Sequence, residues 1–300
     1  MKVLMTGGTG FLGSALRRRL EQSGHSITSL SSTRGGIEGG TTFIHEGSLH
    51  ELGPQDFVIN LAGESVVGLW TRSKRRAIYE SRVSTTRLLA EWIERSAVKP
   101  RAFLSGSAVG IYGDRGTHEL TEDSDVSRTE GFLGKVCRDW EHAASPAAWR
   151  GTRTVLLRTG QVLDPGGGYL AEVLPMARRF PIVILGPRQA YFPWIALSDW
   201  VCLVIFAMEN EAVSGPLNLV SPNPALQEDF TRSISLRLGK RVWGCVPRWA
   251  LQLAAGEFGS SMAFSQRVLP EKALKAGYVF EYSTHDAYLS QALRSTRGTQ

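Results

Sequence analysis

The residues with the clearest chemical potential are the glycines of TGGTGFLG, Gly7, Gly10 and Gly13, which stand between a short apolar run and a segment of helical period. Gly7 can make a tight turn, Gly10 lets a phosphate group approach the backbone, and Gly13 lets the helix pack on the strand. The start of the helix offers free N–H groups and a positive dipole end. A glycine turn without a ligand is the alternative, but the strand and helix on either side favour a dinucleotide loop that also contains Thr9, Phe11 and Leu12.

The form of the dinucleotide is indicated by SLSSTRGG at the end of the second predicted strand. A carboxylate at this place accepts from the ribose 2′-hydroxyl of NAD, whereas a 2′-phosphate needs a cation. The stretch has no carboxylate and offers Ser32, Thr33 and Arg34 instead. It therefore predicts NADP(H), unless Arg34 is only a loop arginine that points to water.

The elements that must position these residues alternate along the first half of the chain. Short apolar runs alternate with segments of helical period. This alternation predicts a doubly wound parallel sheet with helices on both faces, which is an α/β Rossmann architecture. The predicted strands are KVLMT, SITSL, TTFIH, DFVINLAG, RAFLSGS and TRTVLLRTG, and the predicted helices cover residues 11–24, 72–95 and 131–144.

The texture of the sequence changes after Gly160, where prolines, loops and aromatic residues interrupt the alternation. We therefore predict a nucleotide-binding domain over residues 1–160 and a smaller C-terminal substrate lobe over most of 161–300. The run GPLNLV at 215–220 is expected to return to the main sheet.

Composition excludes several classes of protein. The formal net charge is +6, but the Lys and Arg residues are scattered and no nucleic-acid partner is expected. Three distant cysteines suggest neither disulfides nor a metal site and fit a reducing compartment. No long apolar run or targeting segment is evident, so we expect a cytoplasmic protein without a membrane partner. A monomer or homodimer is expected, although no sequence feature indicates the oligomeric state.

Several motifs in order resemble the short-chain dehydrogenase/reductase superfamily in its extended branch, and more closely a group called the epimerase family. The motifs are TGGTGFLG, NLAGE, SGSAVGIYG, VCRDWE, LRTGQVL followed by GGG, YFPWIALSDW and SQRVLPEKALKAGYVF. The resemblance implies bound NADP(H), with cofactor contacts from Leu61, Ala62, Gly63, Arg82 and Ser105. From spacing alone, Arg82 is equally interpreted as an exposed helix arginine.

The proton relay of that superfamily is missing from this sequence. Its members use a Tyr whose phenol exchanges a proton with the reacting oxygen and a Lys four residues later that lowers the pKa of the phenol. Alignment of EGFLGKVCRDWE places Phe132 at the Tyr position and Val136 at the Lys position, and a shift of one residue either way restores no pair. The chain is therefore expected to bind the cofactor without this relay.

Other residues could move a proton, and each has a second interpretation. Ser107 could reach the cleft or only satisfy backbone at a strand end. Glu64 could be a base or a carboxylate at a helix start. Tyr112 has an ionisable phenol, but without a cationic neighbour its pKa is about 10, which is too high for ready proton exchange at neutral pH. Cys137 could be reactive or packed in the core.

The stretch LGPRQAYFPWIALSDW at 185–200 is the expected wall of the substrate pocket. Gln189, Phe192 and Trp194, together with Tyr191, combine flat apolar surface with polar groups and suit a ring-bearing or sugar-like ligand. Packing between the two lobes would use the same aromatic residues. The sequence thus predicts an NADP(H)-binding epimerase- or reductase-like protein, with a non-catalytic cofactor sensor as the alternative.

Overall fold

A computed structural model of the chain describes residues 1–31, 36–38, 41–127, 129–149 and 151–295. Its strands, in chain order, are β1 Lys2–Thr6, β2 Ser26–Ser31, β3 Gly36–Glu38, β4 Thr41–His45, β5 Phe57–Asn60, β6 Ala102–Ala108, β7 Glu119–Leu120, β8 Arg153–Thr159, β9 Gln161–Asp164, β10 Ile182–Leu185, β11 Tyr191–Phe192, β12 Trp194–Ala196, β13 Gly215–Leu219, β14 Ala225–Leu226, β15 Val242–Val246 and β16 Arg267–Val268.

The helices complete the architecture. They are α1 Phe11–Gln22, α2 Arg72–Arg95, α3 Gly131–Ala143, α4 Ser145–Trp149, α5 Gly168–Arg179, α6 Leu197–Glu209, α7 Gln227–Arg237, α8 Arg248–Ser261, α9 Glu271–Lys275 and α10 His285–Ser295, with short 3-10 helices at Glu46–Glu51 and Val109–Tyr112. Helix α8 is kinked, because Ala255 and Gly256 have non-helical backbone angles.

The main sheet has eight strands in the order β13-β8-β6-β5-β1-β2-β4-β3. All neighbours run parallel except β3, which pairs with β4 in the antiparallel sense. The chain proceeds outward from β1 to β2 and β4, and then returns through β5 to build the other half. The point between β1 and β5 is therefore a topological switch point, where ligands bind at the carboxyl edge of such sheets. The predicted doubly wound parallel sheet is confirmed.

Helices cover both faces of this sheet, because successive strand residues point to opposite sides. Val3 and Met5 of β1 join one core with α1 and α6, and Leu4 joins a second core with α2 and α4. The near-continuous apolar runs of β1, β5 and β6 follow from burial on both sides.

The C-terminal half adds a separate core around Phe192, Trp194 and Phe230, to which α5, α7 and α10 contribute. Strand β13, over the run expected to return, lies beside β8 in the main sheet. Short two-stranded sheets connect the remaining elements, in the pairs β10-β15, β11-β14, β12-β9 and β16-β7. None of these strands, nor β3, is predicted from the sequence. Strands β3, β7, β11, β12, β14 and β16 have only two or three residues and show no periodicity, and β9, β10 and β15 lie where loops and prolines interrupt the alternation of strands and helices.

The part of the chain that the structure describes contains no helix with both the length and the hydropathy needed to cross a bilayer.

The C-terminal core depends on Phe230, which is fully buried on α7, whereas Leu236 on the same helix is exposed. Phe230→Ala should lower the free energy of unfolding by about 3–5 kcal/mol, because lost burial and a cavity act together. Leu236→Ala is the matched control and should change it by less than about 0.5 kcal/mol. Urea unfolding measures both variants, and equal effects would contradict the assignment of this core.

Candidate functional site

The glycine turn after β1 is built without room for side chains. Gly7 has a φ of +68°, and a Cβ placed on it would lie 2.4 Å from the Leu61 carbonyl oxygen. A Cβ on Gly13 would lie 2.1 Å from the Gly7 carbonyl oxygen. The amide of Gly10 donates to the Gly7 carbonyl at 3.0 Å, and α1 begins directly after Gly10 with no side-chain cap. The start of α1 therefore presents backbone N–H groups at the switch point, as an anion site requires.

A second glycine cluster, in GGG at 166–168, encloses the ring of Phe11. A Cβ on Gly167 would lie 2.2 Å from Phe11 Cδ2, and one on Gly168 would lie 2.8 Å from Phe11 Cε1. These glycines join β9 to α5 at the start of the C-terminal half. The first residue of α1 thus couples the glycine turn to the second lobe. Thr9 and Gly10 stay exposed beside this contact.

A chain of buried hydrogen bonds holds the end of β5 beside the turn. The Thr6 hydroxyl donates to Asn60 Oδ1 at 2.6 Å, and Asn60 Nδ2 donates to the Thr86 hydroxyl at 2.6 Å. The amide of Ala62 also points at this cluster, 3.3 Å from Thr6 Oγ1. Asn60 therefore fixes the path of the NLAG segment relative to β1 and α2.

Arg82 on α2 contacts Gly63 and Glu64, at the end of the NLAG segment and directly after it. Its Nη1 donates to the Glu64 carbonyl at 2.8 Å, and its guanidinium carbon would lie 3.1 Å from a Cβ on Gly63. The guanidinium also lies 5.2 Å from the ring centroid of Trp140. Burial lowers the pKa of Arg82. Arg82 is thus partly buried and not the exposed helix arginine that the sequence allowed.

The predicted contacts to a 2′-phosphate, Ser32 and Arg34, lie outside the described residues. Ser105 is described and fully buried on β6, where its hydroxyl lies 3.4 Å from the Gly106 carbonyl. It occupies the same sheet row as Asn60, its partner in register.

Ser107 and Tyr112 belong to a buried polar network around Arg158 of β8. The Ser107 hydroxyl donates to Glu141 Oε1 at 2.7 Å, and the same carboxylate receives Arg158 Nε at 2.8 Å and Nη2 at 2.9 Å. Arg158 Nη1 donates to the Tyr112 hydroxyl at 2.9 Å, and that hydroxyl donates to Asn218 Oδ1 at 2.7 Å. Burial raises the pKa of Tyr112, against the opposing effect of Arg158.

This network has consequences for the proton-donor candidates. The Tyr112 side chain is fully buried and its hydroxyl is held by protein partners, so the geometry favours a structural part for it. Ser107 is 4% exposed and bonded to Glu141, which corresponds to neither of the two interpretations considered from sequence. Burial raises the pKa of the Cys137 thiol to about 12, which supports its interpretation as packed core.

Glu64 is the fourth proton-transfer candidate and lies at the surface. Lys74 Nζ donates to its Oε1 at 2.6 Å, and its amide donates to the Ser81 hydroxyl at 2.9 Å. The residue follows Gly63 beyond the carboxyl end of β5, and α2 begins only at Arg72, so Glu64 is not a carboxylate at a helix start. Of the four candidates, it alone is solvent-exposed.

Phe132 lies in a cluster that joins three elements across this edge. Its ring meets Trp70 edge-on at a centroid distance of 5.2 Å, and the Arg75 guanidinium lies 4.8 Å from its centroid. Glu257 of α8 accepts from the Phe132 amide at 2.7 Å through Oε1 and from Arg75 Nη2 at 2.7 Å through Oε2. Phe258 also approaches Trp70, at 6.0 Å. At the position of the superfamily's Tyr, the Phe132 ring therefore makes apolar and cation-π contacts, and a carboxylate from the C-terminal half accepts a hydrogen bond from the Phe132 amide.

The expected substrate wall is divided by the structure. Phe192 and Trp194 are 8% and 0% exposed and belong to the C-terminal core, and Trp194 Nε1 donates to the Asn223 carbonyl at 3.2 Å. Gln189 is exposed. The two aromatic residues therefore pack inside the C-terminal half, neither on a ligand surface nor between the two lobes, and the three residues do not form one surface.

Sequence reasoning missed Glu141, Arg158, Arg75 and Glu257. Arg158 carried a signal, because it is a lone cation in the apolar run VLLRTG of a predicted buried strand. Glu257 carried none, because it is 125 residues away from Phe132 in the chain.

Comparison with known proteins bears on the whole chain. Residues 3–219 match the NAD dependent epimerase/dehydratase family, and residues 246–292 match a domain of unknown function, DUF1731. The chain belongs to the NAD dependent epimerase/dehydratase family. It is 34% identical over 299 residues to the epimerase family protein YfhF of Bacillus subtilis, with 98% of each chain covered. The resemblance inferred from the motifs is confirmed.

Solved structures of this family include two with substantial identity to the chain. The crystal structure of human epimerase family protein SDR39U1 with NADPH matches with a TM-score of 0.88 and 31% identity, over 98% of this chain and 99% of that one. A nucleoside-diphosphate sugar epimerase from Corynebacterium glutamicum matches with a TM-score of 0.79 and 32% identity, over 98% of this chain and 58% of that one.

The contact between Glu257 and α3 can be tested by amide exchange. Glu257→Ala removes the acceptor of the Phe132 amide, so the first turn of α3 should exchange with deuterium roughly tenfold faster or more. Global stability should change little, because the ion pair with Arg75 is partly exposed. Mass spectrometry of the peptide over residues 130–140 provides the measurement.

Glu228→Ala is the matched control, since Glu228 is also a partly exposed carboxylate of the C-terminal half and pairs with Arg188 and Arg232. It should leave the same peptide unchanged. Unaltered exchange in Glu257→Ala would show that the carboxylate does not hold α3.

Proposed function

We propose that this protein is an NADP(H)-binding, epimerase- or reductase-like protein that acts on a small substrate, such as a sugar derivative, without the Tyr-Lys pair. The observation that carries the proposal is the glycine turn at the switch point between β1 and β5, with the uncapped start of α1 beside it. The NADPH in the human relative's structure supports the same cofactor here.

The described residues fit a dinucleotide. Gly7, Gly10 and the first amides of α1 would receive the pyrophosphate, because no Cβ or side-chain cap covers them. The segment Leu61–Gly63, fixed by Asn60, would run past the ribose groups. The acid-free SLSSTR, with Arg34, would receive the 2′-phosphate. A bound nicotinamide supplies hydride exchange, and the chain's own residues must supply orientation and any proton.

The source of a proton differs from that of the superfamily. Phe132 has no exchangeable proton on its ring, and Val136 is 1% exposed in the core. The Ser107 hydroxyl is hydrogen-bonded to Glu141, and the Tyr112 hydroxyl is hydrogen-bonded to Arg158 and Asn218. Glu64 is the candidate with free access to solvent, and we propose it as the first group to test for proton transfer.

The alternative function is a sensor that binds NADP(H) without turnover. It is favoured by the Phe132 cluster, in which Trp70, Arg75 and Glu257 surround the residue at the Tyr position. In such a protein, the cluster would report the redox state of the cofactor by a change in packing.

We also propose that the protein is cytoplasmic and acts as a monomer or homodimer. A reducing compartment is supported by the three cysteines, Cys137, Cys202 and Cys245, which are all free thiols.

The cofactor proposal predicts a preference for NADPH over NADH of about tenfold or more, because a charge-assisted contact to the 2′-phosphate contributes about 1.5–3 kcal/mol. Arg34→Ala should weaken NADPH binding and leave NADH binding nearly unchanged. Titration calorimetry measures both. Equal affinity of the native protein for the two dinucleotides would overturn the NADP(H) assignment.

Gly10→Val tests the glycine turn in the same assay. Binding of both dinucleotides should fall below detection, because a branched side chain would stand where the phosphate meets the backbone. Gly53→Val is the control, since a Cβ on Gly53 meets no atom within 4 Å. Full affinity in a folded Gly10→Val protein would remove the turn from the site.

The absent relay predicts slow chemistry on ordinary carbonyl substrates. Reduction with NADPH should be about 10²–10⁴-fold slower than in tyrosine-dependent relatives, which is the usual contribution of general acid catalysis. Stopped-flow loss of NADPH absorbance measures the rate, and a rate normal for those relatives would contradict the prediction.

Deuterated NADPH separates the two proposed functions. Incubation with a metabolite extract should transfer deuterium to a metabolite if the protein is a reductase. An epimerase returns the hydride that it removes, so with NADP⁺ bound it should instead change the configuration of a metabolite. If the protein is a sensor, the deuterium should stay on the NADPH. The melting temperature of the protein should then differ between its NADPH-bound and NADP⁺-bound states.

A further inference from the structure

The excess of positive over negative charge in the chain comes from two segments, residues 173–198 and 231–256. Together they contain eight of the 34 Lys and Arg residues and none of the 28 Asp and Glu residues, so the rest of the chain has 26 cations against 28 carboxylates. Strand β10 lies in the first segment and its parallel partner β15 in the second. The fold therefore brings the two basic segments side by side on the C-terminal half.

Half of these cations are neutralised by carboxylates from outside the segments. Glu228 pairs with two of them, and Asp286 and Asp114 pair with one each; the cations are Arg188, Arg232, Arg237 and Arg248. Across the described ranges, no carboxylate lies within ion-pair distance of the other four, Arg178, Arg179, Lys240 and Arg241. Four unneutralised cations therefore remain at one end of the β10-β15 pair.

Hydrogen bonds bring together the two chain segments that carry these four cations. Lys240 Nζ donates to the carbonyl oxygens of Arg178 and Phe180, which ties the end of α5 to the residues before β15. Ile182 pairs with Val242 two residues further along each segment. The ends of α5 and the start of β15 thus form one continuous surface.

Apolar side chains project from the same surface. Trp243 is 77% exposed and Phe180 is 54% exposed, while Ile182 is buried and Val242 is half-buried. Val183 is also exposed on the outer side of β10. We call this set the basic-aromatic surface; it comprises Arg178, Arg179, Phe180, Lys240, Arg241 and Trp243.

We propose that the basic-aromatic surface docks the protein reversibly on an anionic phospholipid bilayer. Tryptophan and phenylalanine favour the boundary between headgroups and acyl chains, and unpaired Lys and Arg are attracted by anionic headgroups. Each cation near such a surface raises the partition coefficient about fivefold. Exposed aromatics beside unneutralised cations combine both contributions.

Two other occupants fit the surface less well. A second copy in a two-fold dimer would place the same four cations against each other, which is repulsive. A nucleic acid would satisfy the cations and could stack on Trp243, but Val183 and the nearby exposed Met176 offer no stacking surface. Aliphatic side chains gain from hydrocarbon contact, which favours the bilayer.

This surface differs from the expectation of no membrane partner, which rested on the lack of a long apolar run and did not consider peripheral binding. Arg178 and Arg179 are about 60 residues from Lys240 and Arg241 in the chain, so the basic residues look scattered until β10 pairs with β15.

Co-sedimentation of the full chain with vesicles tests the proposal. Vesicles of phosphatidylcholine with about one-third phosphatidylglycerol should bind the protein, and pure phosphatidylcholine vesicles should not. Binding should weaken with salt. The double variant Arg178→Glu with Arg241→Glu should lower the partition coefficient about 25-fold or more, because each of the two lost cations contributes about fivefold. Trp243→Ser should lower it about tenfold, because the inserted ring is lost.

The matched control is Arg76→Glu with Arg95→Glu on α2, two exposed arginines whose reversal changes the net charge by the same amount. It should bind anionic vesicles like the native protein. Equal loss in the control, binding to neutral vesicles, or retention on single-stranded DNA with no vesicle binding would each overturn the proposal. Melting curves establish that every variant is folded.

Discussion

The structure depends on the close approach of the Gly7 turn to the end of β5. A Cβ on Gly7 would lie 2.4 Å from the Leu61 carbonyl oxygen, and one on Gly13 would lie 2.1 Å from the Gly7 carbonyl oxygen. Strand β1, strand β5 and helix α1 therefore converge at a point with no space for side chains. This convergence places the start of α1 at the edge where the strand order reverses, and Phe11 then carries the contact onward into the glycines of the C-terminal half.

Polar groups buried near this edge are held by one another. Glu141 and Arg158 form a bidentate pair on α3 and β8, and the pair orients Ser107 and Tyr112. Burial acts to lower the pKa of Arg158, and the Glu141 carboxylate outweighs that effect and raises it. Removal of one partner would leave a buried charge unpaired, so the loss of either side chain is expected to destabilise the fold strongly. The carboxyl ends of β6, β8 and β13 are thereby fixed relative to α3.

The Phe132 cluster shows a different use of the place where relatives keep a proton relay. The Phe132 ring packs on Trp70 and Arg75, and Glu257 accepts a hydrogen bond from the Phe132 amide at the start of α3. Val136 is buried, so a lysine at this position would bring an uncompensated charge into the core. Packing and a carboxylate from α8 have therefore taken the place of the Tyr-Lys pair.

Local sequence determined the main sheet and the glycine turn. The apolar runs of β1, β5 and β6 are long and buried on both faces, and the spacing of Gly7, Gly10 and Gly13 is a backbone requirement that neighbouring residues alone express. The missing relay was recognised through the resemblance to the superfamily, which assigns the Tyr and Lys positions to Phe132 and Val136.

Tertiary structure alone decided which side chains meet. The pairing of Phe132 with Glu257 spans 125 residues, and the bond from Tyr112 to Asn218 spans 106. The burial of Trp194, expected at a ligand surface, follows from the packing of α7 and α10 around it. Contacts of this kind depend on how helices and strands are arranged in space, and periodicity along one segment carries no information about that arrangement.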